Sequence, residues 1–454
     1  MTPRAKRVLL VTVPSIPRPD DKTFTLRGHE AQPLSLIYLA EGLMRAGFPV
    51  ETVTADLHTQ AEILETVQCS DADLVGISTF TDTYPNALEV VKLAKSQGKR
   101  VILGGPHTRY FAPEMIKRGV DGVVVGDGEL AIVDFVRGQP SESIPNFWYM
   151  TKNGPTQSQA GLVQATLQDL PIPTLGRQVI HMEEYFQTHQ RLRPQSQHQR
   201  PASINTQRGC PWRDESGGCT FCSIGYKGWV GRRAEQIWQD VSWLVETYGV
   251  DFLWDPSDCF TGHPEWVAAL ATAKPTRGNW PKWSIYARVD GINGQVVDHL
   301  LQIGIDRVYL GIESGSQEVL DKMNKGTTLE ENRQAVRLLT QAGINSHISL
   351  IVGFPGENKE TLEASYRHTA ELVGLGAGIV TVHTFTPWPG NSFFAQLVSQ
   401  HPELGESDLI DPWHLRRLWH HDFCDIDYRL MLDYAQKMMS LAPESEDLTT
   451  KIEF

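Results

Sequence analysis

Cys210, Cys219 and Cys222 lie in one stretch, CPWRDESGGCTFC, and are the residues of this chain best equipped for chemistry. A Cys-x-x-Cys pair with a third cysteine upstream, across eight intervening residues, offers three thiolates from a single loop. Structural zinc closes its shell with four ligands. An iron–sulfur cluster that keeps one iron open to a small molecule needs three. Spacing alone leaves both readings standing.

The other three cysteines are scattered. Cys69 precedes an apolar run and reads as a small core hydrophobe. Cys259 follows DPSD, and Cys424 sits in HHDFCD beside His420 and His421. Ordinary packing accounts for each; if both entered the cysteine-loop cavity they would form part of a substrate site. Six cysteines in 454 residues, three of them clustered, are no disulfide framework and point to a reducing cytoplasm. A net charge of -13 argues against a nucleic-acid partner held by phosphate contacts. The chain has no apolar run long enough for a membrane span, and residues 8–13 read as a strand, not as a secretory signal.

Two stretches of strand–helix alternation must position these residues. In the first, apolar strands are expected at 7–13, 50–55, 72–78, 101–103 and 122–125, with helices at 34–46 and 85–97 between them. Strands without hairpin turns, separated by helices, imply a parallel sheet covered on both faces, which binds ligands beyond its carboxyl ends. Ser78 and Thr79, the GGPHTRY run with Gly104, Gly105 and His107, and the GDGE run with Gly126, Gly128 and Glu129 fall at those ends. Tight turns alone would also explain these glycines. Residues 138–200, rich in proline and glutamine, read as a connector with some short strands, such as 147–150.

The second stretch has six strand–helix units, with strands expected at 203–207, 251–254, 283–288, 307–312, 347–352 and 380–385. That count makes a partial barrel whose chemistry sits at the strand C-termini. The cysteine loop follows the first strand, and the others end in DPSD, ARVD, GIESGS, GFPGEN and TPWPG. Six polar strand ends converging on one rim make a site.

With these motifs in hand, the chain resembles the radical S-adenosylmethionine (radical SAM) enzymes that carry an N-terminal cobalamin-binding-type domain, the class B radical SAM methylase group. The resemblance runs from Arg7 to about Phe394 and rests on the cysteine loop, LGIESGS, IVGFPGEN, GGPHTRYFAPEM and VVVGDGEL. The commonest family pattern has three residues between its first two cysteines; here PWRDESGG lengthens the loop. The resemblance implies an α/β fold: a Rossmann-like domain over residues 1–137, a linker over 138–200, a partial (β/α)6 barrel over 201–395 and a C-terminal cap over 396–454. The cap, with Trp413, Trp419 and Phe423, is expected to close the barrel rim and help choose substrate.

It further implies that Cys210, Cys219 and Cys222 hold a [4Fe-4S] cluster whose open iron is chelated by S-adenosylmethionine. Phe221 would touch the adenine, Glu313 the ribose hydroxyls, with Ser314 beside it, and Arg288 the carboxylate. Gly353, Pro355 and Gly356 would leave room for the adenine. Reading the residues by themselves, Glu313 is equally a solvated strand-end carboxylate and Arg288 a salt-bridge partner of Asp255 or Asp290. For cobalamin, the implied contacts are Ser78, Thr79, Gly104, Gly105, His107, Gly126, Gly128 and Glu129, with the cobalt facing the cluster-bound S-adenosylmethionine. The loop PSIPRPDDK after the first strand lacks the histidine of cobalt-ligating Asp-x-His-x-x-Gly loops, and Asp56-Leu57-His58 follows the wrong strand. His107 is expected near the ligand edge without ligating cobalt.

The implied reaction is reductive cleavage of S-adenosylmethionine, with cobalamin-dependent methyl transfer to carbon or phosphorus of a small metabolite or natural-product intermediate. A flavodoxin or ferredoxin would supply electrons. Rearrangement or 3-amino-3-carboxypropyl transfer without cobalamin is the alternative within enzymes, and a zinc-binding structural protein the alternative outside them. A methylthiotransferase acting on transfer RNA would need three cysteines in the first domain, which offers only Cys69, and a basic C-terminal module, where this tail is acidic.

Overall fold

A computed structural model describes residues 7–16, 32–164 and 167–442. The chain divides into two compact units: Met1–Leu192 with Val398–Trp413, and Arg193–Leu397 with His414–Phe454. No described helix is long and apolar enough to cross a membrane.

In the first unit, short runs of aliphatic residues buried on both faces pair in parallel, as sheets covered by helices require. The strands are β1 (Val8–Thr12), β2 (Val50–Val53), β3 (Leu74–Ser78), β4 (Arg100–Gly104) and β5 (Gly122–Val124), followed by β6 (Phe147–Thr151) and β7 (Gly154–Gln157). Their order is β2-β1-β3-β4-β5-β6-β7, parallel up to β5 and antiparallel beyond it. The order reverses direction between β1 and β3, which opens a crevice at their carboxyl ends. A reciprocal capping box between Thr59 and Glu62 starts the helix Gln60–Cys69, and Pro85 enters the first turn of Tyr84–Ser96.

The expected connector at 138–200 is not a plain linker. Its hairpin β6–β7 extends the sheet, because the ring of Phe147 docks where Gly122 has no side chain; a Cβ there would sit 2.1 Å from it. Glu41, buried in helix Leu34–Arg45, accepts the amides of Leu175 and Gly176 at 2.7 and 2.9 Å. Those amides open the short helix Thr174–Gln178 and tie it down by charge-assisted bonds.

The second unit holds a six-stranded parallel sheet, the half-barrel. In order across it lie β15 (Ile379–Thr384), β14 (Asn345–Val352), β13 (Ile305–Glu313), β12 (Lys282–Ala287), β11 (Phe252–Asp255) and β8 (Pro201–Ser203). The strand expected at 203–207 ends early, and β9 (Gln207–Arg208) pairs antiparallel with β10 (Val230–Gly231). This two-stranded ribbon brackets the cysteine loop in sequence. The expected cap also divides: Val398–Trp413 belongs to the first unit. Helix Tyr428–Met439 packs on β15 and on helix Lys359–Gly374 of the second.

Candidate active site

The root of the cysteine loop is pinned from the end of β11. Asp255 is fully buried and accepts from the hydroxyls of Thr206 and Ser257; burial raises its carboxyl to about 6 against those bonds. Asp258 accepts the amide of Gly209 at 2.7 Å, immediately before Cys210. Gly209 has φ +88, and a Cβ on it would lie 1.8 Å from the carbonyl oxygen of Gly228, so only glycine lets the two chain segments cross.

The eight-residue spacer between Cys210 and Cys219 has its own local structure. Pro211–Ser216 forms one and a half turns of helix, stopped by Gly217 with φ +84. Trp212 donates its indole N–H to the carbonyl of Asn324 at 2.7 Å. The Asn324 amide donates in turn to the carbonyls of Ser216 at 3.2 Å and Gly218 at 2.8 Å. The Thr220 amide donates to Met323 at 2.9 Å. The segment after helix Gln317–Lys322 thus clasps the loop along its length.

All three thiols are partly buried and free of disulfides. Cys210 sits at the start of the loop helix, where a hydrogen bond from the thiol of Cys259 pulls its pKa down, helped by the amides of Trp212 and Arg213. Burial pushes Cys219 up to about 11, with Lys325 and Arg288 pulling the other way. Burial also raises Cys222, whose sulfur accepts the amide of Ile224 at 3.4 Å. Each sulfur therefore has a donor or a cation that favours its thiolate.

Among the described residues, no three or more His, Cys, Asp or Glu side chains are gathered closely enough to hold one metal ion. Four thiolates on one zinc would sit about 3.8 Å apart, given Zn–S bonds of about 2.3 Å. A cluster in which each thiolate takes a different iron needs no such convergence. The loop, with three sulfurs, N–H donors and two cations, fits a cluster.

Above it, Glu313 ends β13 with φ +63, a left-handed conformation that costs a non-glycine residue and usually marks a fixed functional position. Its carboxylate pairs with the ammonium of Lys325 at 2.9 Å, and both are buried. Arg288 pairs with Asp290 at 2.7 Å, the ion-pair alternative read from the sequence; it also donates to the carbonyl of Lys325 at 2.7 Å and lies 3.8 Å from the sulfur of Cys219. Its guanidinium stands 4.8 Å over the ring of Trp212. Ser314 is buried, 3.3 Å from the hydroxyl of Ser365.

Phe221 leans on a core of Val319, Leu320, Met323, Phe354, Phe385 and Trp419. The expectation of room beside the glycines of GFPGEN needs correcting. A Cβ on Gly353 would meet the sulfur of Met431 at 2.9 Å, and one on Gly356 the ammonium of Lys322 at 2.3 Å. The C-terminal helices occupy that side: the Gly353 carbonyl accepts from Trp419 at 3.2 Å and from the thiol of Cys424 at 3.3 Å. Pro355 lies in the same turn. Cys259 and Cys424 have different neighbours: Cys259 is buried against Cys210, and Cys424 is held to Gly353 within the aromatic core.

In the first unit, Ser78, Thr79, Gly104, Gly105, Gly126, Gly128 and Glu129 line the carboxyl ends of β3, β4 and β5. Gly105 (φ +99) and Gly126 (φ +104) adopt backbone that favours glycine, and Thr79 binds Gly104 through both amide and hydroxyl. Phe80, on the loop after β3, and Leu130, in the first turn of helix Glu129–Arg137 after β5, stand 54% and 55% exposed, apolar surface that suits a large, flat, mostly apolar ligand. Glycine-rich backbone and exposed apolar side chains fit a corrin.

His107 departs from the expected ligand edge. It is buried between Tyr84 and Phe111, with Nδ1 on Thr81 and Nε2 on the carbonyl of Asp408, and burial holds it neutral down to about 4. His58 binds the carbonyl of Thr54 in the turn after β2. Residues 17–22 of the PSIPRPDDK loop lie outside the described residues.

Residues 204–369 match the radical SAM superfamily, and residues 24–136 match the B12 binding domain. The chain is a radical SAM enzyme with an N-terminal B12-binding domain. An uncharacterised methyltransferase of Pyrococcus horikoshii is 27% identical over 87% of this chain and 84% of its own. The anaerobic magnesium-protoporphyrin IX monomethyl ester cyclase of Rubrivivax gelatinosus is 26% identical over 80% of this chain; the match spans 66% of that protein. Among solved structures, the radical S-adenosylmethionine methyltransferase TsrM from Kitasatospora setae, with cobalamin and [4Fe-4S] cluster bound, shares the fold. Its TM-score is 0.68 at 15% identity, covering 97% of this chain and 91% of that one. The α/β architecture of a B12-binding domain followed by a parallel half-barrel accords with these matches. The cofactors they imply are a [4Fe-4S] cluster, S-adenosylmethionine and cobalamin.

Reasoning from sequence missed two residues beside the cysteine loop, Lys325 and Trp212, and the partner of His107, Asp408. For Lys325 a signal existed, since MNKGTT follows GIESGS at one helix's distance and its glycine marks a tight approach.

Proposed function

We propose that this radical SAM enzyme uses its cobalamin to transfer a methyl group to carbon or phosphorus of a small metabolite. The observation that carries this reading is the three-thiol loop, clasped beside Glu313, Lys325 and Arg288 on the strand ends of a half-barrel, in a chain that also has a B12-binding domain. When bound, the cluster supplies an electron, S-adenosylmethionine a radical precursor and methyl source, and cobalamin a methyl carrier.

In this reading Cys210, Cys219 and Cys222 carry the cluster and leave one iron open. Glu313 accepts from the ribose hydroxyls, positioned by its fixed backbone and by Lys325. Arg288 keeps positive charge beside Cys219 and faces the carboxylate of the bound cofactor. Phe221, backed by its aromatic core, offers an apolar face for the adenine. The short hydroxylated and glycine residues after β3, β4 and β5 cradle the corrin through backbone, with Phe80 and Leu130 against its apolar parts. A flavodoxin or ferredoxin as electron donor, and a cytoplasmic location that protects an oxygen-sensitive cluster, complete the proposal.

The Pyrococcus relative is named a methyltransferase and the Rubrivivax relative a cyclase, so a second reading is a radical rearrangement or cyclisation on the same scaffold. Product analysis separates them. After anaerobic reconstitution with iron, sulfide and hydroxocobalamin, methyl transfer yields S-adenosylhomocysteine together with 5′-deoxyadenosine. Deoxyadenosine without S-adenosylhomocysteine supports the second reading, and methylthioadenosine would indicate aminocarboxypropyl transfer. A protein that takes up zinc and no iron would end both.

A further inference from the structure

We propose that Lys325 is a positioning residue that aims the carboxylate of Glu313 and offsets its charge at the sulfur of Cys219. The inference rests on the reading of Glu313 as the ribose-binding carboxylate and of Cys219 as a cluster ligand.

The geometry is specific. Lys325 is 4% exposed, and its ammonium lies 2.9 Å from Oε1 of Glu313. Room for the pair is made two residues earlier on β13. A Cβ on Gly311 would sit 2.3 Å from Oε1 of Glu313 and 2.8 Å from Nζ of Lys325, and the register of β13 against β14 shifts between Gly311 and Glu313. The glycine of GIESGS therefore houses an ion pair.

Lys325 is anchored on its other side to the cysteine loop. Its carbonyl accepts from Arg288, the same guanidinium that lies 3.8 Å from the sulfur of Cys219. Its neighbours Asn324 and Gly326 bracket Trp212: Asn324, with φ +49, accepts the indole N–H, and a Cβ on Gly326 would strike that ring at 2.2 Å. One four-residue segment, MNKG, thereby fixes the position of the cluster loop and of the strand-end carboxylate together.

The electrostatics follow. Burial works against the ammonium, but the carboxylate of Glu313 outweighs it and Lys325 stays charged. In a site shielded from water such charges interact strongly. Removing the ammonium leaves an unpaired carboxylate facing the cluster, which disfavours adding an electron; removing the carboxylate leaves an unpaired cation, which favours it.

The test uses the anaerobically reconstituted holoenzyme and three variants: Lys325→Met, Lys325→Arg and Glu313→Gln. Cluster midpoint potential is read by EPR-monitored redox titration, and S-adenosylmethionine affinity by equilibrium binding, neither requiring turnover. Lys325→Met should keep its iron, make reduction of the cluster about tenfold less favourable, which is about 59 mV for a one-electron couple, and weaken S-adenosylmethionine binding about 10–100-fold. Lys325→Arg should restore the potential and most of the affinity. Glu313→Gln should shift the potential the other way. A purely structural lysine would not move the potential in opposite directions in the two neutralising variants. Unchanged potential in both, or shifts of the same sign, would overturn the proposal. If Lys325→Met fails to load iron, Glu313→Gln carries the test, with a rise in potential supporting the proposal and no shift refuting it. Wild-type enzyme that holds its cluster but does not bind S-adenosylmethionine would refute the underlying reading of Glu313, a result distinct from any variant's shift.

Discussion

Around the cysteine loop, the strand ends carry charged groups that already have partners. Asp258 holds the loop root, Lys325 holds Glu313, and Asp290 holds Arg288. The carboxyl-end rim of the first sheet is built mostly from glycines, short hydroxylated residues and two exposed apolar side chains, with Glu129 as a charged group among them. The difference matches what each rim would have to do. A cluster and a sulfonium need charges fixed in direction before they arrive, which is electrostatic preorganisation. A corrin is large enough to be held by area and backbone contact, so its cradle needs little more than close approach and apolar surface.

The comparison breaks most decisively at the cysteines. Cys222→Ser should lower iron retention after reconstitution by more than about 100-fold, the upper end of what losing even an outer partner costs a metal site. Cobalamin retention should be untouched. Iron and corrin counted on the same desalted sample check this, and loss of both together would mean that the two sites are not independent.

At the glycine rim the expected damage is steric. Gly105 has φ +99, and a Cβ on it would lie 2.4 Å from the carbonyl of Thr79, a backbone atom that cannot swing away. Gly105→Val should cost about 2–4 kcal/mol, the range of strain combined with overpacking. Hydrogen exchange of β3 and β4 should report it, along with lost cobalamin retention. Iron loading in the second unit should persist.

A pH effect separates the units further. Glu357 in the half-barrel is fully buried, with one oxygen on the amides of Gly353 and Phe354 and the other without a hydrogen-bond partner among the described residues. Burial raises it from 4.5 to about 8. The folded state then binds a proton that the unfolded chain gives up, so this group's contribution is greatest at low pH and is lost as pH rises from about 4.5 to about 8. Glu357→Gln should flatten that slope, with a gain of a few degrees in thermal midpoint at pH 8 and little change at pH 5. Parallel pH profiles for wild type and variant would show otherwise.

Much of this was legible in the sequence, and what was not has a common cause. Strand positions and the loops that follow them come from local pattern: aliphatic runs such as VLLVT, and polar breaks such as GIESGS just after a strand. Of the hairpin, the strand at 147–150 is legible, but β7 escaped because Pro155 and Gly154 argue against a strand until Phe147 is seen to fill the space over Gly122. Lys325 escaped because its pairing with Glu313 crosses a turn of chain that no periodicity encodes. His107 was placed near the ligand edge because it sits in a glycine loop at a strand end; its partner, Asp408, lies 301 residues further along the chain.

That distant partner supplies the smallest expected effect. Asp408 lies in the Val398–Trp413 segment, 2% exposed, and accepts from the hydroxyl of Tyr84 at 2.7 Å and from both forks of Arg118. Burial alone would raise its pKa, but Arg118 and Tyr84 outweigh burial and lower it. Its stabilising contribution is therefore present above the ordinary carboxylate value of 3.8 and lost as pH falls through the lower folded value. Asp408→Asn keeps one acceptor and removes the charge. The Arg118 side chain is 37% exposed and can turn to water, so the cost should be about 1–2 kcal/mol, below that of breaking a fully buried pair. Hydrogen exchange should quicken in Tyr84–Ser96, which begins at its partner Tyr84, and at the end of Thr108–Lys117, which its partner Arg118 caps, and His107 should lose protection with them. Unchanged exchange in both helices would show that the segment is held by its apolar residues, Leu404 and Ile410, and that Asp408 only completes a surface already made.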